Sequence, residues 1–385
     1  MNSTLIIGAG KIGRGFIGQL MHLNGWHISY GEYDQQLVNA LNQSGSYEVH
    51  ILGNEKKNSL VTDYQAFPFN DPQFAAAWRD ATLIFTAVGG KNLTAIGETI
   101  AAAFRKFPDA GIKNIVTGEN WKRPADDLRA AIYHYLTEDE IQQFENQIGI
   151  TEAVIMRIAV ESTATQKQQA PADVWVQDFW DLPIDRSRFL GEPPHLKFID
   201  FIDNFGSFLE QKLYTNNTSN AAIAYLGYQK GYQYTADAAN DPAIANVLDR
   251  IYEEINQMVV CELGVDPAEQ ALFASKARKK YSDKTIFDQL YRHAADPIRK
   301  LGPNDRLIAP AKLALKHGIE PTAMVKTIAA ALQYDYQGDP LAQELQKKIQ
   351  EKGLPDVLKT ICQLDEQEKL YQLIVSESEK QKIEG

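Results

Sequence analysis

Residues 5–18 read LIIGAGKIGRGFIG, and this stretch determines the fold expected for the first part of the chain. An apolar strand over residues 5–7 leads into glycines with the spacing Gly-x-Gly-x-x-Gly, and an amphipathic helix follows. With this spacing Gly8 permits a tight turn, Gly10 lets the backbone approach a pyrophosphate, and Gly13 lets the helix pack closely on the strand. Backbone N–H groups at the start of the helix would hold the phosphates. The stretch therefore predicts a dinucleotide-binding turn.

The residues after the turn support this interpretation. Apolar side chains recur at helical spacing as far as Leu23, and a second short strand over residues 27–30 ends at Gly31 and Glu32. Glu32 lies about 20 residues after Gly10, where an acid binds the ribose hydroxyls and repels a 2′-phosphate. NAD is therefore expected rather than NADP. The alternative, a glycine-rich turn in some other α/β protein, is disfavoured because strand, turn, helix, strand and acid occur in the right order.

Two further apolar runs predict central strands of a parallel sheet. Residues 82–88 are followed by two glycines, and residues 114–117 are followed by Gly118, Glu119 and Asn120. Ligands of open α/β sheets bind beyond the carboxyl ends of the strands. Runs at 154–158 and 173–176 predict that the sheet extends beyond six strands. The expected cofactor-binding residues are Gly8, Ala9, Gly10, Lys11, Ile12, Gly13, Glu32, Ala87, Val88, Gly89 and Glu119.

Composition limits the function classes. The chain has 385 residues and a net charge of −11, which predicts two domains and argues against nucleic acid or an anionic membrane as a partner. No signal peptide and no run of about 20 apolar residues is visible, so a cytoplasmic location is expected. Cys261 and Cys362 lack nearby histidines, and the sequence predicts neither a disulfide framework nor a metal site.

The hydrophobic pattern of the sequence changes around GEPP at residues 191–194. From His195 onward helical periodicity dominates, with long amphipathic segments around 244–259, 309–317 and 322–332. We therefore expect an α/β Rossmann-type domain over residues 1–192 and an all-α substrate and catalytic domain over residues 193–385.

A polar cluster in the second half carries the candidate chemistry. Residues 208–227 read FLEQKLYTNNTSNAAIAYLG. Apolar positions from Phe198 to Leu209 predict a helix that leads to Lys212, and the Asn, Thr and Ser residues after it predict a helix break with a restart at Ala221. Lysine and asparagine side chains there suit a site that holds an alkoxide. The alternative is a solvated helix-end lysine followed by an ordinary cap.

Several motifs resemble the polyol-specific long-chain dehydrogenases over nearly the whole chain. They are GAGKIGRGFIG at 8–18, TAVGG at 86–90, GENW at 118–121, residues 212–227 and RKLGPNDRLIAP at 299–310. The active-site signature of that family is Lys-x4-Asn-x2-His. Lys212 and Asn217 match it, whereas Asn220 occupies the histidine position.

The resemblance implies a mechanism without a metal. Lys212 would be the general base, and Asn217 and Asn120 would donate hydrogen bonds to the developing alkoxide. Asn220 can form hydrogen bonds but cannot titrate near neutral pH. The sequence leaves open whether His293 replaces the missing histidine.

Arg299, Lys300 and Arg306 form a cationic group in an otherwise acidic chain. Such a group could hold a phosphate or a carboxylate of the substrate. The alternative is ion pairing with neighbours such as Asp296 and Asp305.

The resemblance implies an NAD-dependent oxidoreductase that interconverts a polyol, expected to be phosphorylated, and a ketose. Two alternatives remain open: a sugar-acid oxidoreductase acting on a uronate or aldonate, and a non-catalytic NAD-binding sensor. The expected partner is a small sugar or polyol, with no nucleic acid or membrane, and the chain is expected to be a monomer or weak homo-oligomer.

Overall fold

The structure, a computed structural model, describes residues 2–384 and their side chains up to residue 381. Two compact units divide the chain, Met1–Phe205 and Gly206–Gly385. No helix within residues 2–384 is both long and apolar enough to cross a membrane.

The first unit alternates strands and helices. Its strands are β1 (Ser3–Ile7), β2 (His27–Glu32), β3 (Tyr47–Ile51), β4 (Ser59–Val61), β5 (Tyr64–Pro68), β6 (Leu83–Thr86), β7 (Lys113–Thr117), β8 (Ile148–Glu152), β9 (Val174–Val176), β10 (Leu182–Asp185) and β11 (Ile199–Ile202). Its helices are α1 (Gln19–Leu23), α2 (Gln35–Ser44), α3 (Pro72–Asp80), α4 (Leu93–Lys106), α5 (Pro124–Tyr133), α6 (Glu138–Gln147) and α7 (Ala164–Gln169). A π-helical segment, Gly13–Gly18, precedes α1, and short 3-10 turns lie at Glu55–Lys57 and Gly90–Asn92.

Six parallel strands form the main sheet in the order β5-β2-β1-β6-β7-β8. This is the strand order of a Rossmann fold. Of these six strands, those up to β5 are added on one side of β1, and those from β6 onward are added on its other side. Consecutive residues of a strand point to opposite faces. In β1, Ile6 therefore packs into one core with Phe16, while Leu5 and Ile7 pack into another with Phe74. Burial on both faces explains why these strands read as continuous apolar runs.

The expected extension of this sheet beyond six strands is wrong. Residues 154–158 form no strand, because after β8 the chain bridges from Ala153 to Ile184 and leaves the sheet. Arg157 in that segment is buried, and its guanidinium donates to the carbonyl of Gly15 at 2.9 Å. The run at 173–176 does contain β9, but β9 pairs with β3 in a separate three-stranded sheet.

As expected, the second unit is built of helices; its described residues also include an isolated β-bridge between Tyr234 and Gln289. Its helices are α8 (Phe205–Lys212), α9 (Thr218–Gln229), α10 (Thr235–Ala239), α11 (Pro242–Leu263), α12 (Pro267–Tyr281), α13 (Leu290–Ala294), α14 (Pro297–Lys300), α15 (Ile308–Lys316), α16 (Thr322–Leu332), α17 (Pro340–Thr360) and α18 (Lys369–Glu384). They enclose one apolar core of their own.

Two expectations about the approach to Lys212 are wrong. The helix does not begin near Phe198, which has a left-handed φ of 68°, because β11 follows and pairs with β10. The helix also does not break after Lys212. A π-helical segment, Leu213–Asn217, joins α8 to α9 at Thr218 rather than at Ala221. The Ser219 hydroxyl lies 2.8 Å from the Thr215 carbonyl, so the polar side chains bond to the preceding turn instead of ending the helix.

Candidate functional site

The glycine turn is held by steric contacts within the first unit. Gly8 has φ 100°, and a Cβ there would lie 2.5 Å from the Ala87 carbonyl oxygen. A Cβ at Gly13 would collide with the carbonyl oxygen of Gly8. A Cβ at Gly10, by contrast, would meet no described atom within 4 Å. Gly8 and Gly13 are thus required by the fold itself, whereas Gly10 leaves its backbone open to approach.

Glu32 fastens the end of β2 to this turn. Its carboxylate accepts hydrogen bonds from the backbone N–H groups of Ala9 at 2.6 Å, Tyr33 at 2.7 Å and Asp34 at 3.0 Å. One acid therefore orders both the glycine turn and the turn after β2.

Glu119, which follows β7, holds the loop after the neighbouring strand β6 in the way that Glu32 holds the glycine turn after β1. Its two carboxylate oxygens accept from the backbone N–H groups of Val88 at 2.9 Å and Gly89 at 2.8 Å. Burial raises the pKa of Glu119, and these hydrogen bonds oppose that shift. The geometry makes Glu119 a support for the loop after β6. Asn120, next in the chain, is exposed.

A cavity of about 970 Å³ lies at the carboxyl ends of β1, β2, β5 and β6. This is the edge at which a Rossmann fold binds its ligand. Lys11 lies outside this lining and forms an ion pair with Glu161. The residues fit a dinucleotide, since the cavity combines the glycine turn, an acid and apolar walls. Its lining includes Gly8, Gly10, Glu32, Tyr33, Phe69, Asn70, Ala87, Val88 and Ile96.

The second unit gathers cationic side chains around Lys212. Lys212 ends α8 and is partly buried; burial lowers its pKa, and the nearby charge of Arg306 lowers it further. The Arg306 backbone is fixed close by, because its carbonyl accepts from the Thr218 hydroxyl at 2.7 Å. A lowered pKa is the property that a lysine needs to act as a base near neutral pH.

Lys280 and Lys300 belong to the same group. Burial lowers the pKa of Lys280 to about 8, with a further contribution from Lys212. Burial lowers the pKa of Lys300 to about 7, assisted by Arg306 and Arg299. Sequence reasoning missed Lys280, which lies in α12 far from the signature motif and has no local pattern of its own.

Arg299 differs from Lys300 and Arg306. Its guanidinium is exposed and pairs with Asp296 at 3.1 Å and Asp305 at 2.9 Å. The Lys300 amine is buried and donates to the Ala295 carbonyl. Of the three cations expected to bind an anion, Arg299 and Arg306 thus both have ion pairs of the kind that the alternative interpretation foresaw, since Arg306 Nε lies 2.8 Å from the Asp305 carboxylate.

The asparagines of the signature occupy different environments. Asn217 ends the π-helical segment and is partly exposed. Asn220, one turn later, donates from Nδ2 to Nδ1 of His293 at 2.9 Å. His293 is in turn bonded through Nε2 to the Asp288 carboxylate at 2.6 Å.

Among the described residues, one group of side chains has the donor atoms for a metal ion, Glu48, His50 and Asp173. Those atoms already bond within the protein: His50 Nε2 lies 2.9 Å from Asp173, and Asn58 donates to Glu48 at 2.9 Å. The group is explained as a hydrogen-bonded support between β3 and β9.

Comparison with known protein families identifies the family of this chain. Residues 2–198 match the family described as the mannitol dehydrogenase Rossmann domain, and residues 204–381 match the mannitol dehydrogenase C-terminal domain. The chain therefore belongs to the mannitol dehydrogenase family. This membership confirms the expected class, an NAD-dependent polyol dehydrogenase.

Two named relatives are similar in sequence over nearly the whole chain. The chain is 34% identical over 374 residues to a protein of Bacillus velezensis named mannitol-1-phosphate 5-dehydrogenase, covering 97% of this chain and 98% of that protein. A protein of the same name from Bacillus subtilis (strain 168) is 33% identical over 374 residues, with the same coverage of both chains. The resemblance inferred from the motifs is confirmed.

Solved structures share the fold at low sequence identity. A substrate-free D-sorbitol dehydrogenase superposes with a TM-score of 0.78 at 14% identity, covering 99% of this chain and 93% of that one. Mannitol 2-dehydrogenase from Pseudomonas fluorescens, in a ternary complex with NAD and D-mannitol, gives 0.66 at 14% identity over 100% and 92% of the two chains. At this identity the likeness establishes the fold alone.

Proposed function

We propose that this protein interconverts a phosphorylated polyol of the mannitol 1-phosphate type and the corresponding ketose phosphate. In the oxidative direction a secondary alcohol carbon loses a hydride and its hydroxyl loses a proton, leaving a ketone. NAD, when bound, accepts the hydride. The names of the full-length relatives support the substrate class.

The proton goes to Lys212 in this proposal. The single observation that carries it is an amine whose pKa is lowered first by burial and then by a neighbouring arginine. Such an amine is neutral in a larger fraction of molecules than an exposed lysine at the same pH, and general bases of this kind contribute factors of about 10²–10⁴ to the rate.

Asparagine side chains complete the proposed chemistry. Asn217 and Asn120 would donate amide hydrogens to the oxygen as negative charge develops on it. One preorganised donor of this kind lowers the barrier by about 3 kcal/mol.

Backbone groups of the glycine turn would hold the pyrophosphate, and Glu32 would contact the adenosine ribose. Ala87, Val88 and the loop supported by Glu119 would form the wall beside β6. Gly10 supports this assignment, because no described atom occupies the space over its Cα.

The substrate phosphate is assigned to Arg306 and Lys300, assisted by Lys280. Arg306 lowers the pKa values of Lys212 and Lys300, and Lys212 lowers that of Lys280, so the proximity of these cations costs free energy that a bound dianion would offset. Arg299 has the weaker claim because two carboxylates already engage it.

A substrate panel tests the proposal. With NADH as reductant, fructose 6-phosphate should show a kcat/KM at least a hundredfold above that of fructose. Arg306→Gln should reduce this preference. Because Arg306 also lowers the pKa of Lys212, the variant should slow turnover of both substrates, and the readout is the ratio of their kcat/KM values. A preference for ketouronates would indicate a sugar-acid oxidoreductase instead. Tight NADH binding without turnover of any carbonyl would indicate a sensor.

A further inference from the structure

A chain of hydrogen bonds in the second unit ends at the residue that replaces the family histidine. Asp288 lies 2.6 Å from Nε2 of His293, and Nδ1 of His293 lies 2.9 Å from Nδ2 of Asn220. The His293 and Asp288 side chains are only 20% and 14% exposed. Water therefore competes weakly with these bonds.

The direction of each bond follows from donor and acceptor chemistry. The Asp288 carboxylate can only accept, so Nε2 of His293 carries the hydrogen. The amide nitrogen of Asn220 can only donate, so Nδ1 of His293 accepts. One histidine tautomer satisfies both bonds, and it fixes which way the Asn220 amide faces.

The other end of this amide is an unsatisfied acceptor. Asn220 Oδ1 is buried and has no hydrogen-bond donor among the described residues. A buried oxygen without a donor destabilises the folded state, and a donor on a bound ligand would remove that cost. The adjacent Tyr281 does not relieve it. Burial raises the pKa of Tyr281 and a side-chain hydrogen bond with Asn220 lowers it, which is the effect of an amide N–H donor, and the Tyr281 hydroxyl itself donates to the Asn216 carbonyl at 3.1 Å.

We infer that Asp288 and His293 are positioning residues that hold Asn220 Oδ1 as the acceptor for a substrate hydroxyl next to the reacting carbon. This inference rests on the proposed function and deepens it, because it names the group on the substrate that Asn220 recognises. In this chain the imidazole lies at position 293 rather than at position 220, and it acts through the Asn220 amide.

A purely structural role would give different results. Asp288 also pairs with Arg292 at 3.0 Å, and its backbone carbonyl accepts from Thr235, so this acid also anchors the start of α13. Loss of that anchor would lower stability and affect all substrates equally. A positioning role predicts an effect confined to substrates that carry the recognised hydroxyl.

The test combines variants with deoxy substrates. Wild-type enzyme is assayed with fructose 6-phosphate and its 1-deoxy and 3-deoxy analogues, using NADH. We expect one deoxy analogue to show a kcat/KM at least tenfold below that of the parent. In Asn220→Ala this penalty should fall below threefold, and in His293→Ala it should shrink severalfold, with NADH affinity retained. His317→Ala, which breaks a similar histidine–carboxylate pair with Glu262, should change nothing.

Failure of the inference and failure of the proposed function are distinguishable. Turnover of fructose 6-phosphate with an unchanged deoxy penalty in Asn220→Ala would overturn the inference alone. No turnover by the wild type would overturn the proposed function. In either case ¹⁵N NMR of His293 provides a readout independent of activity. A hydrogen on Nε2, together with an Nδ1 chemical shift that changes in Asn220→Ala, supports the hydrogen-bond chain from Asp288 through His293 to Asn220. A hydrogen on Nδ1 contradicts it.

Discussion

The glycine turn of the first unit and the lysine cluster of the second differ in how their charged side chains are balanced. The lysine cluster consists of Lys212, Lys280 and Lys300 with the neighbouring Arg306. Around the turn, Glu32 and Glu119 each accept backbone N–H groups. In the second unit Lys300 is buried and Lys212 and Lys280 are partly buried, and neighbouring cations lower the pKa of each. The two carboxylates beside the turn are satisfied by backbone donors of the protein, whereas the cluster brings like charges close together.

This difference separates two tasks. A cofactor site needs a rigid backbone, which steric contacts and carboxylate anchors supply. A site for proton transfer needs a shifted pKa, which burial and like charge supply at a cost in stability. The predictions below test each half of that contrast.

The largest effect is expected at the lysine cluster. Lys212→Ala should lower kcat by about 10²–10⁴-fold, because the general base is lost, and leave NADH affinity within threefold. Stopped-flow measurement of NADH oxidation gives the rate, and fluorescence titration gives the affinity. Lys230→Ala is the matched control, since that lysine is exposed and pairs with Asp241. Equal losses in the two variants would remove the special role of Lys212.

The glycine turn gives the next effect. Gly13→Ala forces a methyl group against the Gly8 carbonyl, so we expect NADH binding to weaken by more than tenfold and the melting temperature to fall. Gly10→Ala meets no described atom. It should weaken NADH binding with little change in melting temperature. Equal melting temperatures for both variants would contradict the steric account.

Cofactor choice tests the acid at the end of β2. Wild-type kcat/KM should favour NADH over NADPH by at least about tenfold, because Glu32 repels a 2′-phosphate. Glu32→Ala should narrow this ratio and also weaken NADH binding, since the same carboxylate bonds to the backbone of Ala9. Comparable kinetics with both cofactors in the wild type would refute the assignment.

The smallest effect is the dependence of stability on pH. The pKa of Lys300 is about 7 in the folded chain, and an unfolded lysine titrates near 10.4. Between these values the unfolded state binds the extra proton, so the free energy of unfolding rises with pH, by at most about 1.4 kcal/mol per unit for this residue.

Lys300→Met should flatten that rise in urea titrations between pH 7.5 and 9. Lys113→Met is the counterpart in the first unit, where burial lowers the lysine pKa to about 8 and the amine donates to the Ala81 carbonyl. Lys113→Met should flatten the rise mainly above pH 8. A slope unchanged by Lys300→Met would mean that this amine stays protonated in the fold.

The first site could be predicted because its information is local. The turn from Gly8 to Gly13 and the acid at 32 lie within one βαβ unit, and apolar runs indicate where its strands are. The predictions of secondary structure were wrong where apolar residues have a structural role other than the predicted strand or helix. Residues 154–158 bury Arg157 instead of joining the sheet, and residue 198 precedes a short strand instead of a helix.

The second site could be predicted only in part. The Lys212 motif is contiguous, but Lys280, Asp288 and His293 reach it through the packing of separate helices, which no spacing in the sequence encodes. The helix was expected to break after Lys212 because Asn, Thr and Ser favour caps. Bonds from Thr218 and Ser219 to nearby carbonyls satisfy these side chains within a helix instead.

Chemical rescue is the most direct test of the central claim that the Lys212 amine is the proton acceptor. The rate of polyol phosphate oxidation by Lys212→Ala is measured at pH 8 with and without methylamine. We predict that added amine raises the rate at least tenfold over the unassisted variant, with no effect on the wild type. A variant that works at nearly the wild-type rate without amine would contradict the claim.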